Sequence, residues 1–267
     1  MERILITGAA GQIGRTLHRG LAGRYKLLRL ADIRPVTANG PAEEAIECDV
    51  TDPTALAAAM RGVDCVVHLA GVPREGPWEA ILPNNIIGTY NTFEAARRNG
   101  VRRVIFASSN HVIGYYRTTQ RAGIDVLPRP DSRYGVSKVF GEAIGRLYAD
   151  KHGLSVACLR IGSFRERPED ERQLATWVSP RDMVELVRCA IEAPEFHYLV
   201  LYGVSANARA RWDNPAAARI GFVPRDNAED YANEVAGKAP PAGDPAAEFH
   251  GGSFCALEWT GDARRID

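Results

Sequence analysis

A tyrosine and a lysine four residues apart are the side chains whose spacing most directly suggests chemistry. Residues 134–138 read YGVSK at the start of a helical pattern, so Tyr134 and Lys138 lie one turn apart on one helix face. A phenol has an ordinary pKa near 10 and is a poor base at neutral pH. A nearby ammonium and one further positive charge favour the phenolate, and lowering the pKa by about 3 units takes roughly 4 kcal/mol. The pair therefore predicts a general base that removes the proton of an alcohol.

By itself the Y-x-x-x-K spacing is common in helices and more often marks an ordinary surface pair, so its meaning depends on the neighbouring elements. The apolar stretch VIFASSN precedes it and predicts a strand that ends near Ser109. Ligands of open α/β sheets bind at the carboxyl ends of the strands. We therefore expect Ser109 and Tyr134 to reach one site.

The run RILITGAAGQIGRTL at the amino terminus predicts a strand, a tight turn and a helix. Gly8, Gly11 and Gly14 have the spacing G-x-x-G-x-x-G, and Leu17 and Leu21 then recur at helical spacing. Such a turn lets the backbone approach a pyrophosphate and directs the N–H groups of the helix start towards it. Because glycine triplets also occur by chance, the turn indicates a dinucleotide site only when a second strand that ends in an acidic residue follows it.

A second apolar run, KLLRLAD, ends in Asp32, about 20 residues beyond the glycines. At this place a carboxylate accepts both hydroxyls of an adenosine ribose and repels a 2′-phosphate, so the sequence predicts NAD rather than NADP. Arg34 leaves the choice open, because a guanidinium can hold a 2′-phosphate. A third predicted strand, AIECDV, carries Asp49 near its end, where it reaches either the adenine amino group or the start of the helix TDPTALAAAM.

The elements that position these residues alternate between strands and helices. DCVVHLAG is typical of a central parallel strand, in which we expect His68 to be a core residue and Ala70 and Gly71 to allow close passage of a cofactor. A helical region extends from Pro77 to Arg98, and then comes the strand that carries Ser109. The predicted fold class is α/β, a doubly wound parallel sheet of the Rossmann type.

Composition excludes several classes of function. The 267 residues are 45% hydrophobic, and Lys+Arg and Asp+Glu are both 33, so no net charge attracts nucleic acid or an anionic membrane. Apolar runs stay far below the roughly 20 residues of a membrane span, and the chain starts directly in a core strand, so a cytoplasmic protein is expected. Scattered, odd-numbered cysteines predict reduced thiols and neither a metal site nor disulfides; the first four are expected in strands or a helix. They are Cys48, Cys65, Cys158, Cys189 and Cys255.

The glycine turn, the serine-bearing strand and the tyrosine–lysine helix, in this order, resemble the short-chain dehydrogenase/reductase superfamily. Over roughly residues 1–205 they look most like its extended branch of NAD-dependent epimerases and dehydratases acting on nucleotide sugars. The resemblance implies that Ser109 polarises the substrate oxygen, that Tyr134 is the acid and base, and that Lys138 tunes Tyr134 and holds the nicotinamide ribose. The cofactor-binding residues that it implies are Gly8, Gly11, Gln12, Ile13, Gly14, Asp32, Asp49, Leu69, Ala70, Gly71, Asn85, Tyr134 and Lys138.

The carboxyl-terminal part differs from that branch. Roughly 60 residues come after the last predicted strand, which leaves little room for a lobe that binds a nucleotide diphosphate. The stretches SSNHVIGYY, LRIGS, DERQLATWVSPRDM, VSANARARWDN and FHGGSF are similar to a compact, oligomeric branch that oxidises uronic acids. This likeness implies hydride transfer to NAD from C1 of cyclic glucuronate or galacturonate, which yields the aldarolactone. The implied substrate contacts are Ser109, Asn110, His111, Ser163, Arg172 and Phe254, with Gln12 as a further candidate.

Arg172 is the implied partner of the substrate carboxylate, because a guanidinium fork suits bidentate binding of a carboxylate. Its run, RERPEDER, is otherwise typical of a solvated face. His111 could equally cap the strand end. The chain departs from the likeness after Gly71, where it has Val72, Pro73 and Arg74 instead of an expected hydroxyl side chain.

We expect a single Rossmann-type domain over residues 1–267, with segments from about 163–180 and 205–267 forming a small substrate lobe. The pattern SPRDMVELVRCAIEA predicts a helix capped by Ser179, and DNAEDYANEVAGK predicts a polar surface helix. The aromatic residues Phe249, Phe254 and Trp259 indicate that the end of the chain packs on its own subunit or on a neighbour. Trp177 and Trp212 suit either the core or a pocket wall.

Two other functions remain open from the sequence. One is a nucleotide-sugar epimerase or dehydratase that keeps NAD bound. The other is a regulatory protein that senses the cofactor through a degenerate site, although the intact set of Ser109, Tyr134 and Lys138 argues against it.

Overall fold

The first half of the chain alternates strands and helices in the computed structural model, which describes residues 1–266. Its elements are β1 (Arg3–Thr7), α1 (Gln12–Leu21), β2 (Leu27–Asp32), β3 (Glu43–Glu47), α2 (Pro53–Ala59), β4 (Cys65–His68), α3 (Trp78–Ile81), a π-helical segment (Leu82–Ile87), α4 (Gly88–Arg98) and β5 (Arg103–Ser109).

The second half carries a long helix, two more strands of the main sheet and several short elements. They are a 3₁₀ turn (Asn110–Ile113), α5 (Arg133–His152), β6 (Ser155–Ile161), β7 (Ser163–Phe164), α6 (Gln173–Thr176), β8 (Trp177–Val178), α7 (Pro180–Glu192), β9 (Tyr198–Gly203), α8 (Ala216–Arg219), a 3₁₀ turn (Ala228–Tyr231), α9 (Ala232–Val235), α10 (Pro245–Glu248), α11 (Ser253–Ala256) and a 3₁₀ turn (Ala263–Arg265).

Seven parallel strands form one sheet in the order β3-β2-β1-β4-β5-β6-β9. β1 pairs with β2 on one side and with β4 on the other, so the strand order reverses at β1. Doubly wound sheets bind ligands at the carboxyl ends of the strands beside this reversal. The predicted Rossmann-like α/β fold class is confirmed.

The side chains of β1 show why both faces of the sheet are covered. Ile4 and Ile6 face a core cluster with Leu17 of α1 and Leu186 of α7, whereas Leu5 faces the opposite cluster. Strands buried on both faces read as continuous apolar runs, which is the pattern of the sequence here. No helix in residues 1–266 is both long enough and apolar enough to span a membrane.

Helix α5 is fixed closely to the centre of the sheet. Ser132 caps its start by accepting a hydrogen bond from the backbone N–H of Gly135, and Gly153 ends it in the left-handed region at φ 72°. A Cβ at Gly141 would lie 2.1 Å from the ring of Phe106, so a glycine there lets the helix approach β5.

A buried ion pair adds a second tie between α5 and the sheet. Nε and Nη2 of Arg160 each donate a hydrogen bond to the carboxylate of Glu142 at 2.9 Å. The hydroxyl of Ser108 donates to the same carboxylate at 2.7 Å. The bidentate geometry fixes the helix against β5 and β6 next to the strand end that carries the site.

Three boundaries differ from the sequence prediction. β3 ends at Glu47, so Asp49 lies beyond the strand, and the cap of α2 is Asp52 rather than Asp49. The predicted helix from Pro77 to Arg98 is interrupted by the π-helical segment that begins next to Pro83. Residues 226–238 do not form one polar surface helix: α9 and a 3₁₀ turn replace it, and Ala228 and Val235 pack on Trp177.

The predicted packing of the other aromatic and thiol groups is largely confirmed. Trp177 and Trp212 are core residues, Phe249 is fully buried, and Trp259 contacts Tyr115 and Phe249 of the same chain. All five cysteines are free and buried, although Cys48 lies just after β3 and not within it.

Candidate active site

A cavity of about 880 Å³ opens at the carboxyl ends of β1, β2, β4, β5 and β6. One end of it is lined by the glycine turn and two aspartates, and the other end by the serine strand, the start of α5 and the tail of the chain. The sequence-predicted residues that line it are Gly8, Gly11, Gln12, Ile13, Gly14, Asp32, Asp49, Leu69, Ala70, Gly71, Ser109, Asn110, His111, Tyr134, Lys138, Ser163, Arg172 and Phe254.

The glycine turn is shaped by contacts that exclude side chains. Gly8 has φ 74°, and a Cβ on it would lie 2.7 Å from the backbone nitrogen of Ala70. A Cβ on Gly14 would lie 2.4 Å from the carbonyl oxygen of Gly8. Among residues 1–266 no side chain caps α1 at Gly11, so its first N–H groups face the cavity. This cradle fits the pyrophosphate of a dinucleotide.

Asp32 ends β2 in an almost fully buried position on the cavity wall. Its Oδ2 accepts a hydrogen bond from the backbone N–H of Ala10 at 2.9 Å, and its Oδ1 accepts one from the backbone N–H of Arg34 at 2.9 Å. The Arg34 guanidinium is mostly exposed and contacts Oδ1 at 3.4 Å. A carboxylate fixed in this way suits the hydroxyls of an adenosine ribose. Asp49 lines the same end, where it accepts from the backbone N–H of Thr51.

Asn85 is not among the residues that line the cavity, and its role as a cofactor contact stays a prediction. Its side chain is buried, accepts from the N–H of Val72 at 2.7 Å, and donates to the carbonyl of Val72 and to Ser137. The oxygen of Asn85 would lie 3.0 Å from a Cβ on Gly71. Asn85 therefore holds the loop after β4 against α5 from behind the wall.

Tyr134 and Lys138 meet at the centre of the cavity wall, as predicted. The Lys138 ammonium donates to the carbonyl of Ala107 at 2.7 Å and lies 5.3 Å from the centre of the Tyr134 ring. Burial lowers the pKa of Lys138 to about 8. Burial raises the pKa of Tyr134 to about 12, although a hydrogen bond with Ser109 opposes the rise.

From the sequence, the phenolate of Tyr134 is expected to need two nearby positive charges, the Lys138 ammonium and one more, and the direction of its pKa agrees with this. Even with the Lys138 ammonium close by, the cost of burying a phenolate keeps the pKa of Tyr134 above its ordinary value. A second positive charge next to the phenol is therefore required.

His68 is a core residue, as predicted. Its ring bonds to the hydroxyls of Thr7 at 2.8 Å and Thr89 at 3.3 Å, and burial lowers its pKa to about 3. A neutral histidine with both nitrogens bonded is satisfied and takes no part in chemistry.

The strand end at Ser109 turns into the wall opposite the cofactor end. Ser109 accepts from the backbone N–H of His111 at 3.2 Å, and the His111 ring stacks on Phe254 at 4.0 Å. With its amide oriented to satisfy both neighbours, Asn110 donates to the carbonyl of Ile161 and accepts from Arg172 at 2.9 Å.

Arg172 points into the cavity rather than onto a solvated face. Its Nε donates to the carbonyl of His250 at 2.9 Å, and its Nη1 lies 3.4 Å from the hydroxyl of Ser163. A Cβ on Gly252 would lie 2.5 Å from the guanidinium, so the tail encloses it. Burial lowers the pKa of Arg172, which still keeps its charge. Within residues 1–266 no carboxylate forms a salt bridge with it, which leaves its charge available to an anion.

Several cavity residues were missed from the sequence. Val72, Pro73 and Arg74 do line the wall beside Gly71, so the expected hydroxyl is replaced by an apolar and a cationic group. The charge-rich run that ends at Arg172 also places Arg165 and Asp170 on the cavity wall. These residues were missed because the run folds around the cavity, and periodicity in the sequence does not report such a fold. The missed residues include Cys48, Val50, Arg165, Asp170, Gln173 and Ser253.

Comparison with known proteins identifies relatives over nearly the whole chain. The model of the NAD dependent epimerase/dehydratase family matches residues 4–165. The chain is 46% identical to the uronate dehydrogenase of Agrobacterium fabrum over 256 residues, 95% of this chain and 97% of the relative. It is 43% identical to the uronate dehydrogenase of Pseudomonas putida over 255 residues, 95% of each chain.

A solved structure agrees with the sequence relatives. The crystal structure of a uronate dehydrogenase variant from Agrobacterium tumefaciens complexed with NAD superposes with a TM-score of 0.91 at 46% identity. The match covers 96% of this chain and 97% of the other.

Proposed function

The chain belongs to the NAD dependent epimerase/dehydratase family, and from that premise we propose that it is an NAD-dependent uronate dehydrogenase. It oxidises glucuronate or galacturonate at C1 to the aldarolactone. The observation that carries the proposal is that one cavity holds the glycine turn, the Tyr134–Lys138 pair and the enclosed guanidinium of Arg172.

The residues at one end of the cavity fit NAD. Gly8, Gly11 and Gly14 form the pyrophosphate cradle, and Asp32 holds the adenosine ribose. Lys138 and Tyr134 line the other end, where they would hold the nicotinamide ribose. When bound, NAD supplies the hydride acceptor and a positive charge close to the phenol. Because both oxygens of Asp32 already accept backbone hydrogen bonds, a 2′-phosphate beside them would meet a fixed negative charge.

Arg172 binds the C6 carboxylate of the substrate and so sets the orientation of the sugar. A buried guanidinium with hydrogen atoms that remain free favours a carboxylate over an uncharged hydroxymethyl group. Ser163, Asn110 and His111 then contact the ring hydroxyls. This arrangement turns C1 and its hydroxyl towards Ser109 and Tyr134.

Tyr134 takes the proton of the C1 hydroxyl while the hydrogen on C1 leaves with its electron pair to the cofactor. The C1–O bond becomes the carbonyl of the lactone, so the proton, the hydride and the two electrons are all accounted for. Ser109 donates a hydrogen bond to the reacting oxygen, and the charge of Lys138, 5.3 Å from the centre of the Tyr134 ring, favours the phenolate together with the positive charge that NAD would supply.

The test of this function is direct. The protein is mixed with NAD and glucuronate or galacturonate, and NADH formation is followed by its absorbance, with glucose as the uncharged control. We expect rapid NADH formation with the uronates and little with glucose. Cofactor that copurifies without any net NADH formation would instead support the nucleotide-sugar epimerase or dehydratase, and no turnover at all would support a cofactor sensor.

Replacing Arg172 by alanine should weaken uronate binding specifically. Loss of a charge-assisted bidentate contact is expected to raise KM for glucuronate by roughly 10- to 100-fold, with little change in the slow oxidation of glucose. Arg167→Ala is the matched control, because Arg167 lies in the same run but is exposed and pairs with Glu234. An equal loss towards glucuronate and glucose would show that Arg172 does not bind the carboxylate.

The chain is also proposed to be one Rossmann-type domain over residues 1–267, in which 163–180 and 205–267 supply the substrate lobe. Ser163 and Arg172 come from the first segment and Phe254 from the second, and they meet at one end of the cavity. This division is supported by the function of these residues rather than by a separate core.

Its assembly and location belong to the same proposal. Trp78, Ile87, Tyr90, Val136 and Leu147 are large apolar side chains left exposed on α3, α4, α5 and the π-helical segment, which favours a homo-oligomer. Light scattering of the purified protein gives the number of subunits. Five buried, unpaired cysteines suit the reducing cytoplasm.

A further inference from the structure

A buried aspartate lies directly behind the substrate wall and contacts His111. Asp131 has no exposed side-chain surface, and its Oδ2 lies 2.6 Å from Nδ1 of His111. A carboxylate oxygen can only accept at this distance, so Nδ1 of His111 carries the hydrogen. In the neutral ring, Nε2 is then the unprotonated nitrogen. His111 lines the cavity, where this nitrogen is available to accept a hydrogen bond from a substrate hydroxyl.

Asp131 is held where it is by parts of the chain that are distant in sequence. Cβ atoms placed on Gly114 and Gly251 would lie 1.9 Å and 1.8 Å from its Oδ2, so two backbone segments close over the carboxylate. Its Oδ1 accepts from the hydroxyl of Ser132, which also caps the helix that carries Tyr134. The carboxylate is thus fixed relative to both the tail and the catalytic helix.

The histidine is equally constrained on its other side. The His111 ring is stacked on Phe254 with an angle of 16° between the planes, and it meets the Tyr134 ring edge-on at 5.8 Å. Stacking fixes the plane of the ring, whereas only the contact with Asp131 fixes which nitrogen is protonated.

We propose that Asp131 is a positioning residue that holds His111 as the Nδ1–H tautomer, so that Nε2 accepts a hydrogen bond from a sugar hydroxyl next to the reacting carbon. The inference rests on the proposed function, because it assigns the hydroxyl acceptor of that same sugar site. With this tautomer, His111 supplies a hydrogen-bond acceptor on the cavity wall opposite the cofactor end, whereas Arg172 supplies hydrogen-bond donors.

A double-mutant cycle tests the proposal. Asp131→Asn should lower kcat/KM for glucuronate by roughly 10- to 100-fold, which is the usual cost of losing a buried hydrogen bond to a charged group or a supporting partner, and should leave the Kd of NAD within about twofold. In a His111→Ala background the same change should cost almost nothing further, because Asp131 acts through the ring. Asp182→Asn is the matched control: Asp182 is a buried carboxylate bonded to the backbone of Arg225 and Asp226, away from the cavity.

Two outcomes of the cycle would overturn the proposal. One is that Asp131→Asn lowers kcat/KM by the same factor in the His111→Ala background as in the wild type, which is the result expected for an aspartate that only supports the fold. The other is unchanged kcat/KM in a folded Asp131→Asn variant. A wild-type protein that does not reduce NAD with any uronate contradicts the proposed function instead, and leaves the tautomer to be measured on its own.

The tautomer can be measured without any variant of Asp131, which covers the case in which that variant does not fold. Nitrogen-15 NMR of wild-type protein labelled at its six histidines, with His111 assigned by comparison with His111→Gln, reports which ring nitrogen carries the proton. We expect protonated Nδ1 and unprotonated Nε2 in the neutral ring. A neutral ring protonated at Nε2 would refute the proposal.

Discussion

Tyr134→Phe is expected to lower kcat by roughly a hundredfold or more while NAD still binds with nearly unchanged Kd. The phenolate oxygen of Tyr134 is the group that takes the proton of the substrate, and phenylalanine keeps the edge-on ring contacts with His111 and Phe254. The cavity therefore keeps its shape and loses its base. Stopped-flow measurement of NADH formation, with NAD titrated by fluorescence, separates the two quantities.

The control for this prediction is Tyr90→Phe, which removes a phenol hydroxyl from an exposed side chain on α4 and should leave kcat unchanged. The pH profile supplies a second check. Since burial raises the pKa of Tyr134 to about 12, the fraction of molecules that carry the phenolate grows as pH rises. The rate should rise with pH in the wild type, and activity that persists in Tyr134→Phe would remove Tyr134 from the mechanism.

Much of the cavity could be predicted because its residues belong to local patterns. The turn at Gly8, the strand ending at Ser109 and the one-turn spacing of Tyr134 and Lys138 are each legible within about a dozen residues. The order of these elements then fixes the sheet edge at which they meet. Sequence was therefore sufficient for the fold class and for about half of the residues that line the cavity.

The features that were not predicted depend on contacts across the chain. Asn85 turns away from the cavity because the loop at Val72 takes most of its amide hydrogen bonds, and periodicity carries no information about that loop. Asp131 gains its place from the approach of Gly114 to Gly251, which are 137 positions apart in the printed sequence. The raised pKa of Tyr134 follows from burial, which spacing along a helix does not report.

Lys138→Met is expected to lower kcat/KM by roughly a hundredfold or more, since it removes the charge that favours the phenolate and a contact to the nicotinamide ribose. Methionine has nearly the same length and suits a buried site, so the protein should remain folded. Lys151→Met is the matched control, because Lys151 is an exposed lysine in the last turn of the same helix. Normal activity in Lys138→Met would exclude the electrostatic role of the ammonium.

Lys138→Met should also change how the free energy of unfolding depends on pH. This measurement tests the burial of Lys138 independently of its role in catalysis. The pKa of Lys138 is lowered from 10.5 to about 8 in the folded protein, so between these values the unfolded chain binds a proton that the folded chain has lost. The free energy of unfolding of the wild type therefore rises with pH in this window, whereas Lys138→Met lacks this rise. The two proteins should diverge by an amount on the order of 3 kcal/mol across the window. Buried tyrosines and cysteines away from Lys138 whose pKa values are raised weaken both proteins alike at high pH, so their contributions cancel in the difference; the pKa of neighbouring Tyr134, about 12, lies above this window. Urea unfolding at about pH 7 and about pH 10 measures it, and a difference that does not vary with pH would mean that folding does not lower the pKa of Lys138.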